Sequence, residues 1–286
     1  MKKKIGIVGA DGKMGKWFST YFATNHNNVL YFYDIKKTYA TTLPNVVHCS
    51  SLKQCVREAD YVIICVSSDK TSIVIQKSVN WMKKGSAVLE ISSIKQDVSK
   101  SLISAPKSVV TISIHPMFGP GAKKLEDVKI LFVPVRDKKR EEQKLRSILG
   151  DAKILVIKDV VCHDRLMALI LGLIYYANLI IASVVSKENF AKLKKYSGTS
   201  FDLQSILFHS ILIDDQSLIS SILINNNLLL PYLKEFLRVS KEIFEAIYTK
   251  DNKKLNRIVR DMNHHYDKNN EIERSYQRLY SFIQNM

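Results

Sequence analysis

The chain has 286 residues, 46% of them hydrophobic and 24% charged, with a net charge of +16. That length and balance describe a folded globular protein of one large or two ordinary domains and exclude a disordered chain. The lysines are spread along the sequence, without a basic block, a zinc-finger spacing or an aromatic RNA-binding pattern, so the charge reads as a general attraction for anions and no nucleic-acid partner is expected.

Residues 3–10, KKIGIVGA, read as a short apolar strand that is too short for a signal peptide and runs straight into glycines. Residues 12–25 follow as a helix with Met14, Phe18 and Phe22 on one face, and 28–34, NVLYFYD, as the second strand. Strands at 46–49 and 61–66, a helix over 70–84, and strands at 86–92, 108–114 and 129–135 come next. A surface helix over 138–150 and a strand at 153–157 complete this part. Strands separated by helices of this length indicate βαβ units, hence an α/β fold with a Rossmann-type, doubly wound, mostly parallel sheet. From residue 160 the pattern becomes long apolar-periodic helices without strands, which sets the domains at 1–159 and 160–286.

Gly9, Gly12 and Gly15 stand between the first strand and the first helix. Gly9 permits a tight turn, Gly12 lets backbone approach a pyrophosphate, and Gly15 allows close helix–strand packing. The phosphates then rest on the helix N-terminus at Lys13 and Met14, where N–H groups and the dipole favour anions. Asp34, ending the second strand, is placed to hold a ribose 2′-hydroxyl and so to favour NAD, while Lys36 and Lys37 would suit the 2′-phosphate of NADP. Ser67 and Thr71, in the turn VSSDKT, border the nicotinamide side of such a cofactor.

The segment SIHPMFGPG, 113–121, stops an apolar strand on a histidine whose backbone the next proline holds extended. Ligands of open α/β sheets bind outside the carboxyl ends of the strands. His115 is at such an end, and neutral imidazole suits the removal of a hydroxyl proton during hydride transfer. Ser93, in SSIK at 92–95, reads equally as a second hydrogen-bond partner for that hydroxyl and as the cap of the next helix. The four cysteines, Cys49, Cys55, Cys65 and Cys162, show no metal-ligand spacing, so no metal is expected and free thiols in a reducing cytoplasm are. Residues 166–185 are uncharged over a length that could span a bilayer, yet contain Asn178, Ser183 and two tyrosines. They read as a helix buried at the centre of an oligomer, a membrane span being the alternative.

The stretches GADGKMGKWF, SSIK, HPMFGPG and CHDRLMALILGL resemble, in order and spacing, the prephenate dehydrogenase family, particularly its archaeal-type members. The resemblance covers most of residues 1–180. It implies a nucleotide-binding domain joined to an all-helical dimerisation domain, and a cytoplasmic homodimer. The implied reaction is the NAD(P)-dependent oxidative decarboxylation of prephenate to 4-hydroxyphenylpyruvate for tyrosine synthesis, with His115 as catalytic histidine and Ser93 as its partner. Such a dicarboxylate needs cations or donors from the helical domain. The chain departs from the family there. Tyr175 stands in place of a histidine, His209 and Ser210 replace Gly-Arg, and Cys162 replaces the glutamate of Glu-His-Asp. No arginine occurs between Arg165 and Arg238, which leaves Lys95, Arg165, His209 and the lysines at 192, 194 and 195 as candidate cations. His163 and Asp164 are expected to cap the helix start. The alternatives are an arogenate dehydrogenase, a dehydrogenase of another small hydroxy acid, and a nucleotide-binding paralogue without catalysis.

Overall fold

The computed structural model describes residues 3–36, 43–266 and 271–284. Its first part runs β1 (Lys4–Val8), α1 (Lys13–Ala23), β2 (Val29–Tyr33), β3 (Val46–His48), α2 (Leu52–Arg57), β4 (Tyr61–Ile64) and α3 (Ser68–Val79). It continues through β5 (Ala87–Glu90), α4 (Gln96–Ile103), β6 (Val110–Pro116), β7 (Lys129–Val133), α5 (Lys138–Leu149) and β8 (Lys153–Val156). Then follow α6 (Val160–Met167), a π-helical stretch at Ala168–Leu173, α7 (Ile174–Val185), α8 (Phe190–Tyr196), α9 (Thr199–Leu212) and α10 (Gln216–Ile224). A 3-10 turn at Asn227–Leu229 leads into α11 (Leu230–Tyr248), α12 (Asn252–Tyr266) and α13 (Glu271–Gln284).

The chain divides into two compact units, Met1–Met167 with Gln216–Asn226, and Ala168–Asp215 with Asn227–Met286. The boundary expected at 159/160 marks where strands end. It is not where the first unit ends, because α6 packs on α4 and α10 returns to pack on α3.

In the first unit the strands form one sheet in the order β3-β2-β1-β4-β5-β6-β7-β8, parallel except that β7 runs against β6. The crossover between β1 and β4 puts the ends of those strands at the switch point where such sheets bind ligands. Side chains alternate across the pleat, so one strand feeds two cores. Ile5, Ile7, Ile63 and Leu89 face Phe18, Phe22 and Leu145, while Val8, Val62, Ile64 and Val88 face Cys55, Ile75 and Leu102. Both faces are covered by helices, which is why these strands read as continuous apolar runs. Each fully buried Ile, Leu or Phe contributes about 1.5–3 kcal/mol relative to exposure. The helix expected over 70–84 starts earlier, at Ser68, and ends at Val79.

In the second unit α7 packs on α9. Asn178, a polar residue inside the apolar segment, donates to Ile174 O at 2.9 Å and accepts from Gln204 Nε2 of α9 at 2.6 Å, so both polar atoms of its buried side chain have a partner. A Cβ on Gly172 would meet both methyl groups of Leu229 at 2.9 Å, so this glycine is what lets the π-helical stretch approach the 3-10 turn.

Candidate active site

The glycine loop is shaped by close backbone approaches. Gly9 has φ +85 and donates its N–H to Tyr33 O at 2.8 Å, and a Cβ there would lie 2.5 Å from Cys65 O. A Cβ on Gly15 would lie 2.0 Å from Gly9 O, so α1 can start this close to β1 only with glycine at that position. No side chain caps α1 at Gly12, and its first turn holds no acidic residue. An N-terminus of that kind fits the pyrophosphate of a dinucleotide. The Asp34 carboxylate accepts the N–H of Asp11 and of Lys36, each at 3.0 Å, and so ties the glycine loop to the end of β2. Lys37 lies outside the described residues. Ser67 is exposed at the end of β4, ahead of α3, whereas Thr71 is buried and its hydroxyl donates to Ser67 O at 3.2 Å, shaping the turn from beneath. Gly15→Ala is expected to abolish dinucleotide binding in a titration by protein fluorescence and to cost about 1–3 kcal/mol of stability through overpacking.

At the carboxyl ends of β5 and β6 lies a buried polar cluster. The loop after β6 is pinned to α1: the Trp17 ring packs on Phe118 with centroids 4.7 Å apart, and Trp17 Nε1 donates to Ala122 O at 2.8 Å. This holds the strand end that carries His115, which is 5% exposed. Its Nδ1 sits 3.2 Å from Nε2 of His163, and His163 Nδ1 sits 2.7 Å from Asp164 Oδ1. Asp164 also accepts the N–H of Lys95 at Oδ1 and of Gln96 at Oδ2, both at 2.9 Å, and its own carbonyl accepts Asn226 Nδ2 at 2.8 Å.

The pair at 163–164 therefore does not cap its own helix. Asp159 does that for α6, accepting Cys162 N–H at 2.8 Å, while Asp164 reaches across to cap the N-terminus of α4. Ser93 is half-buried and is not the cap of α4 either, since that helix starts from Lys95. His163 thus lies against the His115 ring, where sequence reasoning expects only a helix cap. Two adjacent ionisable residues heading an apolar helix were the available signal.

Lys95, expected as a substrate cation, is fully buried. Its Nζ donates to Glu90 Oε1 and to Ile114 O, each at 2.6 Å, and Glu90 in turn accepts Ser92 N–H at 2.8 Å and the Ser113 hydroxyl. The ammonium neutralises a carboxylate inside the domain and braces the strand end next to His115, so it is not available to a carboxylate arriving from solvent.

Burial first, then the neighbouring His163 and Lys95, push His115 well below the ordinary imidazole value of 6.5. Burial also lowers His163, against the opposing pull of Asp164. Both rings are therefore neutral in the folded protein near neutral pH. An unfolded histidine takes up a proton below about 6.5 while these folded ones do not, so the unfolded state binds more protons and stability falls as pH falls through that value. Between pH 6.5 and 5 each such histidine is expected to contribute a slope of up to about 1.4 kcal/mol per pH unit. Urea titrations of the native protein and of His115→Asn check this: the variant should show a shallower acid slope, and equal slopes would count against buried neutral histidines.

In the second unit, Tyr175 is half-buried and its hydroxyl donates to Asp214 Oδ2 at 2.7 Å; burial and this carboxylate push its ionisation up. His209 is exposed on α9 with its ring against Phe208 and Phe190, centroids 4.7 and 5.2 Å apart. Ser210 is exposed and donates to Leu207 O of its own helix at 2.7 Å. Lys194 is paired with Asp202 at 2.6 Å. Arg165, in the first unit, is exposed on α6. No group of three or more histidine, cysteine, aspartate or glutamate side chains able to hold a metal occurs among the described residues.

A doubly wound sheet with a glycine cradle at its switch point, a buried imidazole at a neighbouring strand end and a helical second unit define a two-domain, Rossmann-type nucleotide-binding protein. The chain belongs to the prephenate dehydrogenase family: residues 22–146 match the prephenate dehydrogenase nucleotide-binding domain and residues 160–261 the prephenate dehydrogenase dimerization domain. It is 26% identical over 271 residues to a Methanocaldococcus jannaschii protein described as a probable arogenate/prephenate dehydrogenase, covering 92% of this chain and 60% of that relative's length. Its fold is similar to that of prephenate dehydrogenase from A. aeolicus, crystallised with hydroxyphenyl propionate and NAD+, at TM-score 0.69, 17% identity and coverage of 93% and 97% of the two chains. It is also similar to Synechocystis arogenate dehydrogenase, at TM-score 0.66, 17% identity and coverage of 93% and 99%.

Proposed function

We propose that this protein is an NAD-dependent dehydrogenase that oxidises and decarboxylates prephenate to 4-hydroxyphenylpyruvate. The observation that carries the reading is His115, a buried neutral imidazole fixed at a strand end of the sheet that bears the glycine cradle, in a chain of this family. Bound NAD would supply the hydride acceptor, held by Gly9, Gly12, Lys13, Met14 and Gly15 with Asp34 on the adenosine ribose. His115 takes the hydroxyl proton as the hydride leaves the same ring carbon. Loss of the ring carboxylate as CO₂ then delivers an aromatic ring, so the protein needs to supply only positioning and one base. Ser93 offers a second hydrogen bond to the substrate hydroxyl, and Arg165, exposed on α6 of the same unit, is the candidate donor to its carboxylates.

One observation favours arogenate as a second reading. Tyr175 replaces the family's histidine and is bonded to the Asp214 carboxylate, which repels a substrate carboxylate and attracts an ammonium. Following NADH formation with prephenate and arogenate side by side, with NAD and then NADP, tests both readings. No turnover of either substrate would sink both, and a preference for NADP would transfer the cofactor choice from Asp34 to Lys36 and its neighbours. Under the prephenate reading, Tyr175→His and Ser210→Arg are expected to lower the KM for prephenate.

We further propose a cytoplasmic homodimer formed through the helical unit. Val160–Val185 is long and apolar enough to cross a membrane, with 22% of its most apolar window buried, and Ile174, Ile180 and Val184 are exposed in the single chain. A partner's helices covering that surface give the same composition as a membrane span. The described cysteines are free thiols, which suits a reducing compartment. Sedimentation of detergent-free protein as a dimer supports this, and recovery only with membranes overturns it.

A further inference from the structure

We propose that His163 and Asp164 are positioning residues that fix the tautomer of His115, leaving Nε2 as the atom that accepts the substrate's proton. The proposal rests on His115 being the base. It follows from counting donors and acceptors along one chain of contacts.

Asp164 already accepts two backbone N–H groups, from Lys95 and Gln96, and as a carboxylate it has only acceptors to offer. The nitrogen 2.7 Å from its Oδ1 must therefore donate, which puts the proton of His163 on Nδ1. A neutral His163 then carries its lone pair on Nε2. His115 Nδ1 lies 3.2 Å from that lone pair, so it must donate, and the lone pair of a neutral His115 falls on Nε2.

The titratable groups around the two rings are Asp164 and His163 from α6, Glu90 at the end of β5, and Lys95 ahead of α4. Lys95 and Glu90 neutralise each other at 2.6 Å, so the Asp164 carboxylate is the acceptor that orients the relay.

Free histidine in water favours the opposite tautomer, with the proton on Nε2. Without His163 the base would present a donor where a lone pair is needed. The arrangement also serves the step that follows. When the substrate O–H bond breaks, its proton joins His115 Nε2 and the ring becomes an imidazolium. Passing the Nδ1 proton to His163 Nε2 would return His115 to neutrality and leave the positive charge beside Asp164.

The experiment is nitrogen NMR of the imidazole rings in histidine-labelled protein, combined with kinetics of two variants. In the native protein His115 is expected to be protonated at Nδ1 and bare at Nε2. His163→Leu should move that proton to Nε2 and lower kcat by about 100-fold or more, as loss of the correct tautomer removes the base, with NAD affinity unchanged. His163→Gln, whose amide oxygen reaches the place of Nε2, should keep the native His115 tautomer and recover most of the rate. A native His115 protonated at Nε2, or equal kcat in the Leu and Gln variants with both folded, overturns the proposal. If the native enzyme turns over neither prephenate nor arogenate, the reaction assignment fails, and the NMR result still decides the tautomer.

Discussion

Replacing His115 by asparagine is expected to lower turnover by roughly 10²–10⁴-fold, the contribution of a positioned general base. Asparagine keeps a short amide at the place of Nδ1, so the contact with His163 Nε2 can persist and the cluster stays satisfied. It has no nitrogen that takes up a proton near neutral pH. Dinucleotide affinity should be unchanged, because the glycine cradle is built from β1, α1 and the end of β2, where Asp34 closes the loop. Because burial holds His115 well below 6.5, the native enzyme should keep its base unprotonated on the acid side of neutrality, with the acid limb of kcat/KM below that value. The measurement is single-turnover NADH formation beside a fluorescence titration of NAD. A variant that unfolds while keeping full activity per folded molecule would make His115 a structural residue and remove the base from the proposed mechanism.

How much of this was legible depended on the range of the interaction. Alternating apolar runs and helices gave the sheet because each strand's burial on both faces is written into its own residues. The shape of the glycine loop was legible for the same reason, since Gly9, Gly12, Gly15 and Asp34 lie within one βαβ unit. The place of His115 at a strand end was legible from its own neighbours, Pro116 and the glycines beyond. What the sequence hid depends on partners far along the chain. Asp164 caps α4 from sixty-nine residues away, and Asn226 holds Asp164 from sixty-two. Nothing in the apolar pattern of α10 shows that it packs on α3 of the first unit. A lysine following a strand reads as a surface cation, and Lys95 is otherwise only because Glu90 ends an apolar strand with a buried charge. That glutamate was the visible clue, as a charge at the end of an otherwise buried strand needs a counter-ion.

Replacing Lys95 by methionine is expected to destabilise the protein by about 3–5 kcal/mol, the cost of removing one member of a buried ion pair. Methionine matches the length of the aliphatic stem, so the loss comes from charge and hydrogen bonding more than from volume. Glu90 would be left with a buried, uncompensated carboxylate, and Ile114 O, one residue from His115, would lose its donor. Burial pulls the Lys95 ammonium below its ordinary range while Glu90 and Asp164 pull it back, so the lysine keeps its proton only through its partners. The double variant Glu90→Gln/Lys95→Met should recover a large part of the loss. The glutamine oxygen still accepts the Ser92 N–H, its amide NH2 donates to the Ser113 hydroxyl oxygen in place of the bond that Glu90 accepted, and no bare charge remains. Urea midpoints of the native protein, the two single variants and the double variant give the coupling energy directly. The same set separates the buried pair from the alternative of Lys95 as a substrate cation. A buried pair gives a large stability loss, rescued in the double variant, with little change in the KM for prephenate among molecules that fold. A Lys95→Met protein as stable as the native one, with a raised KM, would instead return the ammonium to the substrate.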